Sequence, residues 1–107
     1  MKTLKFKEKL AKMILKGEKT NTWRLFDDKN LSEGDEISLV VSETKKEFGK
    51  AKLIKVIEKK FDNLEEKDLQ GHEKFSSKDE MYETYSGYYK TKVGPKTKLK
   101  IIFFNLI

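Results

Sequence analysis

The sequence predicts an α+β fold, a β-barrel of about five or six strands carrying two or three short helices, and three features point to it. One stretch near the start repeats its apolar residues at helical spacing, and a series of short β-prone segments follows it. The final stretch, Leu99 to Ile107, is apolar on both faces, so it belongs in the middle of a sheet rather than at an edge. Between them, residues 62–89 return to helical spacing with two capping signals. At 107 residues, with no repeat, linker or low-complexity segment, the expectation is one domain over residues 1–107 with a modest core.

Taken in order, Thr3 to Phe6 is a short strand leading into a helix across Lys5 to Lys16, whose Leu10, Met13 and Ile14 lie on one face. Gly17 follows the last apolar residue, where a helix end favours a residue that tolerates positive φ. Thr20 to Leu25 is β-prone, and alternation places Thr20, Thr22 and Arg24 on one face and Asn21, Trp23 and Leu25 on the other. Trp23 is therefore expected in the core. Phe26 to Asn30 is a polar loop, and Ser32 to Asp35 a turn before a strand over Glu36 to Val41. Thr44 to Gly49 reverses the chain, and the next strand is apolar at its centre on both faces, through Ala51 and Leu53 on one side and Ile54 and Val56 on the other. Asp62 to Glu66 starts a capped helix that ends near Gly71, and Ser77 with Glu80 has capping-box spacing. Met81, Tyr85 and Tyr88 or Tyr89 then form a helical stripe of the kind that packs in a core. Gly94 and Pro95 turn the chain into the last strand.

Composition narrows the function classes. With 36% hydrophobic and 39% charged residues the surface is heavily solvated, and 11% aromatic residues argue against disorder. No cysteine is present, which excludes thiolate chemistry and a disulfide framework. No apolar run reaches the ~18 residues of a membrane span, and the first residues lack the apolar core of a signal peptide, so a cytoplasmic chain with no membrane partner is the expectation. The net charge of +6 is unevenly spread. Residues 62–83 hold eight acidic residues against three lysines, a local −5 that leaves +11 on the remainder. Such asymmetry suits a basic face for a polyanion, and it also occurs in chains that are simply rich in Lys and Glu.

The candidate site is the octet Gly17 to Arg24. Arg24 is the only arginine among 24 basic residues, and Trp23 is the only tryptophan. A guanidinium is a planar fork suited to bidentate contact with phosphate or a base edge, whereas an ammonium is a hydrated point charge. The same lone arginine also fits a surface ion pair. Lys19, Thr20, Thr22 and Arg24 together would bind an anion or a nucleotide. Lys19 and Thr22 would also serve as base and nucleophile, provided Lys19 lies in the corner before the strand, because in a regular strand the two point apart. His72 is the only histidine. Without cysteine or a second histidine it makes no metal site, and a capping or surface role is expected for it.

The pattern Gly-x-Lys-Thr-x-Thr-x-Arg after an amphipathic helix resembles the signature of the ASCH family, and the resemblance extends over nearly the whole chain. It implies a PUA-like β-barrel with a cleft facing RNA or a nucleotide, and no cofactor or metal. On that basis the chain is expected to bind RNA or a nucleoside or nucleotide as a monomer, through Lys19, Thr20, Thr22, Arg24 and Gln70. Similar small bacterial ASCH proteins are amidohydrolases that remove the acetyl group of N4-acetylcytidine with a Lys, a Thr and a Glu. Lys19 and Thr22 match the first two. Gln70 stands where the resemblance places the Glu, which puts catalysis in question, and Glu73 is the nearest acidic substitute.

Overall fold

The computed structural model describes residues 2–26 and 29–107. Its five strands are β1 (Lys2–Phe6), β2 (Asn21–Arg24), β3 (Glu36–Val41), β4 (Glu47–Lys60) and β5 (Lys98–Leu106), with helices α1 (Glu8–Leu15), α2 (Glu66–Leu69) and α3 (Lys78–Tyr89). They form one sheet in the order β1-β3-β4-β5-β2, with β1 and β3 parallel and the other pairs antiparallel. The sheet curls into a half-barrel, an α+β arrangement of the PUA-like kind. Asp27 and Asp28 of the expected polar loop lie outside the described residues.

β1 and β2 are the two ends of the sheet, and α1 connects them. α1 buries Ala11 and Ile14 and stops where Gly17 takes φ +78°. There the Gly17 and Glu18 amides donate back to Ile14 and Met13, satisfying carbonyls that the helix end leaves open. The helix begins at Glu8 rather than Lys5, because the β1–β3 pairing runs through Phe6. Across the seam left between β1 and β2, Arg24 Nη2 donates to the Lys5 carbonyl at 2.9 Å, and its guanidinium lies 4.8 Å over the Phe6 ring. One arginine thus ties the two free edges together, with a fork that a lysine does not have.

β5 is interior, as its two apolar faces required. Ile102 and Phe104 join Leu4, Ile37, Leu39 and Leu53 in one core cluster, while Leu99 and Ile101 join Trp23, Phe61, Met81 and Tyr85 in a second. β4 is longer than its apolar centre implied, and that centre is not covered on both faces. The register with β5 shifts between Leu53 and Lys55, and Ile54 is left 49% exposed. The alternation changes phase at an extra residue, which a β-bulge inserts. The expected helix start at Asp62 is also displaced. Phe61–Asn63 is a 3-10 turn, and α2 starts at Glu66, with the Glu65 amide held by Asp68 Oδ2 at 2.9 Å. In α3, Ser77 caps as expected by accepting from the Glu80 amide, while the Glu80 carboxylate returns to Ser76 rather than to Ser77.

Candidate active site

The octet turns from α1 into β2, and the segment after α2 runs beside that corner. The join rests on backbone groups. The Gly71 carbonyl accepts from the Thr20 amide at 2.7 Å, and the Asn21 side-chain amide donates to the Gln70 carbonyl at 2.6 Å. Gly71 has φ +75°, and a Cβ there would lie 2.0 Å from Thr20 Oγ1, so only glycine fits. Stitched in this way, residues 70–73 place Glu73 against the octet.

Lys19 lies in the corner before β2, not in the strand, and this frees it from the alternation that would point it away from Thr22. It is 1% exposed, and its ammonium meets Glu73 Oε2 at 2.5 Å. Burial pulls the Lys19 pKa below its ordinary value, with Arg24 adding to the effect and Glu73 opposing it. For Glu73, burial pushes the carboxyl up, but Lys19 and His72 outweigh it and the net shift is downward. The two side chains form a partly buried ion pair.

Glu73, Thr22, Trp23 and Arg24 line a pocket of about 240 Å³. Its far wall is aromatic, formed by Tyr85, Tyr88 and Tyr89 of α3, and Lys5 and Lys7 stand on the β1 side. That volume lies below the ~300–1,000 Å³ of drug-sized sites, which limits the pocket to one small group such as a single base. Trp23 Nε1 and Arg24 Nε are buried with no hydrogen-bond partner among the described residues.

The residues singled out in the sequence separate into two groups. Lys19, Thr22, Arg24 and Glu73 are brought together, Lys19 through its contact with Glu73. Thr20 and Gln70 do not line the pocket, and both are exposed. Trp23 is in the core as expected, 2% exposed. His72 has neither a surface nor a helix-capping role. It is 4% exposed and stacks on Trp23 at 3.8 Å between ring centroids. Its Nδ1 is 2.9 Å from the Glu73 carbonyl, which can only accept, so Nδ1 carries the proton and Nε2 accepts from the Tyr85 hydroxyl at 3.0 Å. Burial, and then the Lys19 charge, lower the His72 pKa to about 4. Burial and the Glu73 carboxylate push the Tyr85 phenol well above its ordinary value, which keeps it a donor. The tyrosine stripe of α3 is both core and pocket wall. The stripe was legible in the sequence, but its second role needed the position of β2.

No family model matches the chain, and no curated protein matches it either. Solved structures do resemble it. An ASCH domain from Lactobacillus crispatus JV V101 superposes with a TM-score of 0.72 at 13% identity, covering 98% of this chain and 79% of that one. A protein from Enterococcus faecalis V583 assigned to DUF984 gives 0.78 at 13% identity, over 100% and 76%. The ASCH protein of Zymomonas mobilis gives 0.66 at 19% identity, over 96% and 65%. No helix of the described residues is long and apolar enough to cross a membrane. The chain has the fold of the ASCH domains, the family that its Gly17-to-Arg24 stretch resembles.

Proposed function

We propose that this pocket hydrolyses an amide on an acylated nucleobase, with Thr22, Lys19 and Glu73 as its working groups. The observation that carries the reading is the Lys19–Glu73 contact at 2.5 Å, with Glu73 lining the same pocket as Thr22. It supplies the carboxylate that Gln70 lacks, three residues further along the chain. In the resting pair one proton lies between an amine and a carboxylate, so the pair can accept a second. The Thr22 hydroxyl attacks the acyl carbonyl carbon while its proton passes to Glu73, the member of the pair that lines the pocket, with Lys19 holding that carboxylate. The C–N bond then breaks, and the pair returns the proton to the leaving amine nitrogen. Water hydrolyses the Thr22 ester by the same route, leaving a free carboxylate and an unmodified base. The aromatic wall stacks the base, the Arg24 guanidinium donates to its acceptor atoms, and Lys5 and Lys7 favour a phosphate.

A second reading, binding of RNA or a nucleotide without turnover, has its own support. Lys19 is 1% exposed and does not line the pocket, as in a structural ion pair. A panel of acylated nucleosides incubated with wild type and Lys19→Ala separates the two. Turnover by wild type alone supports hydrolysis. No turnover by either, together with RNA affinity that falls steeply with salt, leaves binding alone.

A further inference from the structure

A second cavity, of about 390 Å³, is also lined by Glu73. Glu73 is the one residue that lines both this cavity and the basic, aromatic pocket. The two spaces differ in chemistry. The first presents Arg24, Thr22, Lys5 and Lys7, whereas the second exposes mostly apolar surface, from Phe61, Leu64, Leu69, Phe75 and Met81, with Asp62, Lys74, Ser77 and Lys78 also lining it. Phe61 and Met81 are buried, and Leu64 and Phe75 are half-buried against the same core cluster, so the walls are fixed by packing. Leu69, at the end of α2, is 43% exposed.

An amide has two halves, and the carboxylate serving its hydrolysis must stand beside the bond that joins them. Here that residue lines both a polar space suited to a base and a mostly apolar space suited to a hydrocarbon. We infer that the apolar cavity receives the acyl half of the substrate, so that the preferred substrates are nucleosides carrying acyl chains several methylenes longer than acetyl. This rests on the hydrolytic reading of the first pocket. The chemistry is unchanged: the amide C–N bond breaks, water supplies the elements of the carboxylic acid and of the amine, and the longer chain leaves as its carboxylate. What the second cavity adds is burial of methylenes, each of which stays out of water in the bound state.

The test is the dependence of kcat/KM on chain length. Acetyl, butanoyl, hexanoyl and octanoyl nucleosides are compared with wild type and with Leu69→Trp, which places an indole in the cavity from its half-open rim. Full burial of a methylene corresponds to roughly fourfold, so kcat/KM is expected to rise severalfold per added pair of methylenes until the cavity is filled. In Leu69→Trp the ratio of octanoyl to acetyl rates should fall toward one. A flat or falling series in wild type with acetyl still cleaved overturns the acyl assignment and leaves hydrolysis standing. A rising series that Leu69→Trp does not change also overturns it. Cleavage of no member removes hydrolysis and this inference together.

Discussion

Lys19 Nζ and Glu73 Oε2 are 2.5 Å apart although 54 residues separate them in the chain. The contact depends on three local decisions. Lys19 stays out of β2, Gly71 turns with positive φ, and the Gly71 carbonyl accepts from the Thr20 amide. Because Lys19 is almost fully buried, removing its partner leaves an ammonium with no counter-charge. Glu73→Gln should therefore lower stability by about 3 kcal/mol, the lower end for a broken buried pair, since Glu73 keeps some water contact. Lys19→Met combined with Glu73→Gln should cost less than the two single changes summed. Urea unfolding checks both, and a loss below about 0.5 kcal/mol for Glu73→Gln would mean water already satisfies Lys19.

Arg24 serves the barrel and faces the pocket at once. Arg24→Lys keeps the charge but cannot hold the Lys5 carbonyl and present the remaining donors together. Loss of a charged hydrogen bond of this kind costs about 1.5–3 kcal/mol, which in a chain of this size lowers Tm by several degrees. Ligand affinity should fall by a further 1–3 kcal/mol, roughly the worth of a bidentate base contact. Calorimetry and titration read the two separately. Unchanged affinity with a lower Tm would assign Arg24 to the seam alone.

His72 gives the fold an acid-labile step. Its pKa is about 4 when folded and 6.5 as the ordinary value, so the unfolded chain binds more protons between those limits. Its contribution is complete above pH 6.5 and is lost as pH falls through about 4, amounting to roughly 3 kcal/mol. The lowered carboxyl of Glu73 acts in the same direction, but only below its ordinary value of 4.5. Tm measured from pH 7 to pH 4.5 should therefore fall in wild type and stay nearly flat in His72→Gln. A slope that survives in His72→Gln would place the titrating group elsewhere.

Gly71→Ala tests the stitch between the two segments. The added Cβ meets Thr20 Oγ1 at 2.0 Å, and the φ of +75° is strained for any residue with a side chain. A loss of about 1–3 kcal/mol is expected from backbone strain, and Glu73 should no longer be held against Lys19. Gly17→Ala meets open space, although its φ is also positive, so it should cost less. Equal costs for the two would mean that backbone strain alone decides, and that the contact with Thr20 is unimportant.

Much of this was legible in the sequence because it depends on local pattern. The α1 stripe, the Gly17 stop, the interior character of β5 and the burial of Trp23 follow from periodicity of 3.6 or 2. The place of Lys19 was legible only as a condition, that the lysine sit before the strand, and it does lie before β2. What escaped was non-local. His72 reads as a loop residue because it follows a helix end, and only the position of Trp23 shows that its ring is stacked in the core. Gln70 occupied the expected position of an acid by alignment alone. The turn at Gly71 carries the chain past it, so that Glu73 faces Lys19 while the Gln70 side chain points to solvent. A bulge at Ile54 cannot be separated from a strand covered on both faces by apolar pattern alone.

In the proposed hydrolysis Glu73 works with Lys19 and Thr22. The most direct measurement is kcat/KM for acyl release from an N4-acylated cytidine, compared among wild type, Glu73→Gln and Gln70→Ala at a temperature where all three are folded. Turnover by wild type, a loss of about 100-fold or more in Glu73→Gln, and wild-type rates in Gln70→Ala are predicted. No turnover by wild type, or equal rates in wild type and Glu73→Gln, would contradict it.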